Sequence, residues 1–423
     1  MPRSFAPLLL GLIPVACAVA CGSNKQAPFS PPADDAGDEA GFVMTCGHPD
    51  CDGDGYVVPA DCNDYDPLIN PEAFDFPTDN IDNDCDGIVD NPVLTCETIP
   101  ASPPGTPTDF ARAADLCQQH SMTNAGTIFD PLVSATWGQV QGLGPGETLW
   151  TSATKPVQVD IASSFGQNMP RQGRTMVGLA NGLWANTDPR NDPALDPAGF
   201  HINDACSDIP LMGQDCASLT NGTPAGAVNV QDWAELTLTV RIPSNVQTAV
   251  FDFAFFSSEF NQWWDSAAND AFFVLVTSKN FQGTNVAKDQ NGLAVTVNSG
   301  FFQLCPVAPG PAGLQESAAL EPCVGVNGDA SQSIFGELAG TSYDGAIDGT
   351  NDTVQAVNGD TYIYGGGSGW LTAKFPVVPR ETLQMRVIVA DTFDGLKDST
   401  VLFDAVRWEE ASEDGGVSRP ANQ

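Results

Sequence analysis

Beyond residue 96 the apolar positions switch between two periods. Phe110, Ala113, Ala114 and Cys117 recur at helical spacing before His120-Ser121, and Thr108-Asp109 offers an N-cap ahead of them, so a helix is predicted there. The period then shortens. Leu236, Leu238, Val240 and Ile242 alternate with polar residues. Phe251, Phe253 and Phe255 repeat the alternation after a turn at Pro243 to Asn245. Ala271 to Val276 is a continuous apolar run of strand length, Met385, Val387 and Val389 alternate again, and Val401 to Trp408 closes the pattern. Gly- and Pro-rich connections separate these runs. The expected fold is therefore mainly β, an antiparallel β-sandwich of jelly-roll-like character. A long stretch rich in Pro, Gly and Cys, from about Cys305 to Asn358, is expected to be loop.

The N-terminal region follows other rules. Pro2-Arg3 and the apolar stretch from Leu8 to Ala20 read as an export signal too short to span a bilayer. Ala18-Val19-Ala20-Cys21-Gly22-Ser23 resembles the lipobox of bacterial lipoproteins, although Ala18 stands where Leu is commonest and Cys17 is a poorer competing candidate. The resemblance implies lipid on Cys21 and a membrane contact through it, with more than one acyl chain needed for stable anchoring. Gly22 is not the aspartate associated with inner-membrane retention, which favours the outer membrane or cell surface. The expected organisation is a signal peptide over 1–20, a Pro- and Asp-containing tether over 21–45, an Asp-rich module over 46–95, the sandwich over 96–410 and a flexible tail over 411–423.

Charge sharpens the picture. The 423 residues include 53 acidic and 16 basic side chains, a net charge of −37. Nucleic acid is excluded as a partner, because binding it requires clustered cations. Between Gln26 and Pro92 there are 17 Asp and Glu and no Lys or Arg. Two carboxylates at ~4 Å repel by about 4 kcal/mol at an effective dielectric of 20, so such a segment needs a cation in its midst.

The spacing says where. Asp50-Cys51-Asp52-Gly53-Asp54-Gly55-Tyr56 with Asp61 places carboxylates at loop positions 1, 3, 5 and 12 and glycine at position 6, the EF-hand order. Alternate side chains of a tight loop point inward, and the Tyr56 carbonyl can serve as the position-7 ligand. A second copy runs Asp82-Asn83-Asp84-Cys85-Asp86-Gly87-Ile88 with Asp90. Its position 12 is Val93, so it must borrow a ligand, and Asp61, Asp64 and Asp66 stand between the copies. Oxygen-only ligation points to calcium and away from zinc and copper.

Ten cysteines outside the lipobox form the candidate disulfide set: Cys46, Cys51, Cys62, Cys85, Cys96, Cys117, Cys206, Cys216, Cys305 and Cys323. Their even number suits an exported protein, and no CxxC pair is present. Local pairs such as Cys206–Cys216 and Cys305–Cys323 fit the order, but connectivity stays open.

Two resemblances follow. Residues 50–91, with DGDGY, DCNDYDPLINPEA and DNIDNDCDGIVD, look like the Asp-rich metal-binding repeat of many myxobacterial and methanotroph surface proteins. That family is named after a copper-binding surface protein. Phe74-Asp75-Phe76-Pro77 departs from it where the repeat carries Glu-x-Cys. Met44, Cys46 and His48 could form a soft copper site only if Cys46 is a free thiol. The stretches AVNVQDWAELTLTVRIPSNVQTAVFDFAFFSSEF, NDAFFVLV and VIVADTFDGLKDSTVLFDAV resemble choice-of-anchor domains, most closely type L. These are β-rich modules of bacterial surface proteins, and the resemblance implies no enzymatic activity.

Within that domain Glu259, Asp270, Asp391 and Asp398 flank apolar strands, either as turn residues and caps or as a second cation site; Asn269 is a neighbour. The alternating Phe residues read as core, and Trp263-Trp264 as a loop pair available for stacking on carbohydrate. Catalytic signals are poor. Three histidines fit no metal or nucleophile motif, and Gly366-Gly367-Ser368-Gly369-Trp370 lacks the last glycine of a nucleophile elbow. The expected function is a lipid-anchored, calcium-binding surface protein whose sandwich contacts a glycan or protein. A calcium-dependent polysaccharide hydrolase and a metal-acquisition protein are the alternatives.

Overall fold

The alternating runs become long antiparallel strands. The computed structural model describes residues 46–91, 96, 106–116, 130–138, 158–182, 184, 204–205, 229–259, 270–289, 292–297, 299, 301, 335–338, 340–341, 343, 354–357, 360–363, 365–392 and 398–419. In chain order the elements are α1 (Pro107–Ala113), β1 (Leu132–Trp137), β2 (Val159–Ala162), β3 (Met176–Ala180), β4 (Asp204–Ala205) and β5 (Asn229–Arg241). Then come β6 (Thr248–Ser257), β7 (Ala271–Thr277), β8 (Gln282–Asn285), β9 (Val295–Thr296) and α2 (Phe335–Leu338). The chain closes with β10 (Val354–Val357), β11 (Asp360–Ile363), β12 (Gly366–Pro376), β13 (Thr382–Thr392), β14 (Ser399–Glu409) and β15 (Gly416–Ser418). Among the described residues no helix is long and apolar enough to cross a membrane.

Two antiparallel sheets form the sandwich. One runs β1-β5-β13-β7-β8, with β4 on β5 and β9 on β7; the other runs β15-β12-β6-β14-β3-β2. Period-2 geometry sends alternate side chains to opposite faces. Leu236, Leu238, Phe272, Val274, Val387 and Val389 from the first sheet thereby meet Phe251, Phe253, Phe255, Leu371, Val401 and Phe403 from the second in one core. Burying each such side chain contributes roughly 1.5–3 kcal/mol. The intervening positions of the second sheet are also covered. Ala254, Phe256, Trp370 and Leu402 pack with Phe165, Met176, Leu338 and Tyr343 in a separate cluster. Burial on both faces explains why Ala254 and Phe256 are apolar alongside Phe251, Phe253 and Phe255.

Several expectations shift in detail. The helix is capped by Thr106, whose side chain forms a capping box with Asp109, and not by Thr108-Asp109. Pro107 suits the first helical position because it has no N–H to leave unsatisfied. Part of the expected loop between Cys305 and Asn358 is structured, as α2 and β10. Part of the expected tail forms β15, which pairs with β12 through Thr372↔Ser418 to Lys374↔Gly416.

From Gly47 onward the chain is one compact unit, so the Asp-rich module and the sandwich fold together. The module sits on the β5–β6 and β12–β13 turns. Asn245 accepts from the Phe74 N–H at 2.7 Å and donates to the Phe74 carbonyl at 2.8 Å. Ser244 Oγ donates to Asn70 Oδ1 at 2.9 Å, Arg241 pairs with Glu72 at 2.7 Å, and Phe74 and Phe76 pack against the main core.

Candidate metal centre

Both acidic repeats fold into the same turn. In the first, Asp50 takes the N–H groups of Gly53 and Gly55, Asp52 takes that of Asp54, and Asp54 takes that of Tyr56. In the second, Asp82 takes the N–H groups of Asp86 and Gly87, Asp84 also takes that of Asp86, and Asp86 takes that of Ile88. Position 6 is glycine in each because the backbone is left-handed there, with φ of 100° at Gly55 and 91° at Gly87. Position 4 is also left-handed, and the second repeat meets that requirement with Cys85 at φ 59°.

The triads converge. Ligand oxygens of Asp50, Asp52 and Asp54 lie within 4.8 Å of one another, and so do those of Asp82, Asp84 and Asp86. A cation with bonds of ~2.3–2.6 Å can span that spread. Asp61 is not one of the first triad, but its carboxylate feels the charges of Asp54 and Asp52. It is 1% exposed, its Oδ1 accepts from Asn63, and its Oδ2 is buried without a hydrogen bond. Burial, then repulsion from Asp54 and Asp52, pushes its carboxyl up to about 6. Asp52 Oδ2 and Asp54 Oδ2 are likewise buried without hydrogen bonds. Burial, followed by the neighbouring Asp84 and Asp86, raises Asp82 to about 6. Buried carboxylates facing one another are stable as anions only beside a cation, so the donor set fits a hard divalent ion.

The other residues singled out from sequence lie outside the two triads. Asp64 holds the Cys51 N–H, Asp66 closes its own turn through Leu68, and Asp90 takes the Asn80 N–H. Tyr56 lies under Arg380, 6.0 Å from the guanidinium to the ring centroid. A disulfide joins Cys62, directly after Asp61, to Cys85 inside the second repeat, so the two loops share a covalent staple. Cys46, Cys51 and Cys96 are also disulfide-bonded, which removes the thiolate a soft site at Met44, Cys46 and His48 would need. Cys117, Cys206, Cys216, Cys305, Cys323, Cys21, Asn269 and Trp263-Trp264 lie outside the described residues.

Sequence reasoning missed three members of this centre. Asp75, in the segment noted only for its missing cysteine, is 2% exposed and takes the N–H groups of Asn83 and Asn91. Asn91 in turn donates to Asp84 at 3.3 Å and Asp86 at 3.1 Å. Arg380 reaches back from the β12–β13 turn to the Asp54 carbonyl, with Asp54 Oδ2 3.7 Å away. Only the lone basic residue in Val377 to Glu381 could have hinted at that contact.

In the sandwich, Glu259, Asp270 and Asp391 come together within 4.8 Å. Asp398 is buried beside Gly182 and is not one of that triad. Ser368 offers no nucleophile, since it is fully buried in β12, accepts from the Phe255 N–H and donates to the Gly369 carbonyl.

Fold and site together define a mainly β module carrying an oxygen-lined metal motif at one end. Residues 61–91 match the family described as "Putative metal-binding motif", and residues 224–408 match the choice-of-anchor L domain. The chain thus joins a metal-binding motif to a choice-of-anchor L domain, the composition of a metal-binding surface protein. The first match begins at Asp61, so the Asp50 loop precedes it. No curated protein and no solved structure matches the chain.

Proposed function

We propose that this protein is lipid-anchored through Cys21 at the outer membrane or cell surface, binds calcium in its two Asp-rich loops, and uses the sandwich for adhesion to a glycan or protein. The observation that carries the calcium reading is the set of buried oxygens on Asp52, Asp54 and Asp61 that accept no hydrogen bond. All donors in both triads are oxygens, which favours calcium over copper. The loops stiffen the segment nearest the anchor and hold it to the sandwich.

Thermal and urea unfolding of the exported chain in chelator and in 10 mM calcium tests this. With Kd on the order of 10⁻⁴–10⁻³ M, calcium stabilises the native state by about 1.4–2.7 kcal/mol. An unchanged transition at 10 mM calcium would sink the assignment. Palmitate labelling that persists in Cys21→Ala would remove the anchor from Cys21.

A further inference from the structure

Glu259 follows β6, Asp270 precedes β7, and Asp391 lies near the end of β13. β6 belongs to one sheet and β7 and β13 to the other, so these residues bring both sheets to one point. They are 0%, 0% and 2% exposed. Glu259 and Asp270 are oriented by their surroundings. Glu259 Oε2 accepts the Asp270 N–H at 2.8 Å, and Asp270 Oδ2 accepts from Asn181 at 2.9 Å and Ser399 at 2.5 Å. Those donors engage one oxygen of a carboxylate. Glu259 Oε1, Asp270 Oδ1 and Asp391 Oδ1 are buried and accept no hydrogen bond. Like charges at this separation and depth repel strongly unless a cation is shared among them.

We infer that Glu259, Asp270 and Asp391 hold a second hard divalent cation that clamps the two sheets together, separate from the Asp-rich loops. The two locations lie at opposite ends of the sandwich. β6 begins beside the turn that receives the Asp-rich module and ends beside Glu259, and its 10 residues at ~3.3 Å each span about 33 Å. No ion can serve both. The inferred ion ties together the end of β6, the start of β7 and the end of β13.

Calcium counting on the full exported chain tests the site. Asp52→Asn, Asp54→Asn, Asp84→Asn and Asp86→Asn together disable the loops. This variant is expected to retain one calcium per chain by equilibrium dialysis and a calcium-dependent rise in Tm. Adding Asp391→Asn is expected to abolish both. Asp391→Asn alone should raise Tm in chelator, because it relieves repulsion, and lower Tm in calcium. A loop-disabled chain that binds no calcium overturns the inference and leaves the loops untouched. So does an Asp391→Asn variant whose Tm falls equally with and without calcium. If the loops themselves bind nothing, the wild type still holds this one ion, so the two readings fail separately.

Discussion

Asp404→Asn should flatten the dependence of stability on pH. Asp404 is fully buried on β14, and its Oδ2 accepts the Arg171 N–H at 2.6 Å. Asp115, just past α1, is 4% exposed and faces it. Burial, then the charge of Asp115, pushes Asp404 up to about 8, and burial pushes Asp115 up to about 7. Arg171 and Arg407 direct their guanidinium groups to Asp252, at 3.5 and 3.1 Å. Both shifts are upward, so the folded chain keeps a proton that the unfolded chain releases near pH 4. The stability contribution is full below about pH 4 and is lost as pH rises through 7 to 8. Four units would correspond to about 6 kcal/mol, and because Asp115 supplies part of the shift we expect roughly 3 kcal/mol from the pair. Asparagine keeps an acceptor for Arg171 and offers Asp115 a donor, but it cannot ionise. Urea unfolding from pH 5 to 9 in chelator should show the variant about 1 kcal/mol weaker at pH 5, for one lost hydrogen bond, and stronger than wild type at pH 9. Other raised carboxyls cancel in the difference. Parallel curves across this range would refute the shared proton.

Three further outcomes follow from single contacts. Arg386 makes a bidentate pair with Glu235 at 2.6 and 2.8 Å in the first sheet, so Arg386→Met should cost about 3–5 kcal/mol by urea unfolding. Adding Glu235→Leu should recover most of that loss, because the uncompensated buried charge goes with it. Cys62→Ser with Cys85→Ser opens a loop spanning 23 residues and should cost about 3 kcal/mol, read as the stability difference from wild type in chelator. Arg380→Ala removes the contacts to Asp54 and Glu72 from a partly exposed guanidinium. It should cost about 1 kcal/mol and, by removing a competing cation from beside Asp54 Oδ2, tighten calcium binding by calorimetry.

The sandwich was legible because its strands obey period 2 with little interference. Leu236 to Ile242, Phe251 to Phe255 and Met385 to Val389 all fall in β5, β6 and β13 or directly beside them. The loops were legible because cation ligation imposes its own spacing on Asp50 to Asp61 and Asp82 to Asp86. What sequence could not supply was any contact between distant residues. Asp75 looks like another acid in an acidic segment until Asn83 and Asn91 are seen to need its oxygens. Arg380 lies more than three hundred residues from the carbonyl it binds. The pairing Thr372↔Ser418 turns an apparent tail into an edge strand through backbone hydrogen bonds, which leave little trace in residue type.

The docking contacts decide how a cation bound in the loops would be felt elsewhere. A ligand stabilises only the unit that unfolds with its site. Phe74 and Phe76 pack on the main core, and Asn245 holds Phe74 by both its backbone groups, so melting the module exposes core surface. The same module carries Asp75, whose two oxygens fix Asn83 and Asn91 beside the second triad. A cation at the second triad would therefore act on the sandwich through Asn91 and Asp75 and on to Phe74 and Asn245, and one at the first triad through the Arg380 contact to Asp54. A single unfolding transition that moves as a whole with calcium is the consequence. Two transitions, only the first of them calcium-sensitive, would mean that these contacts are too weak to join the module to the core.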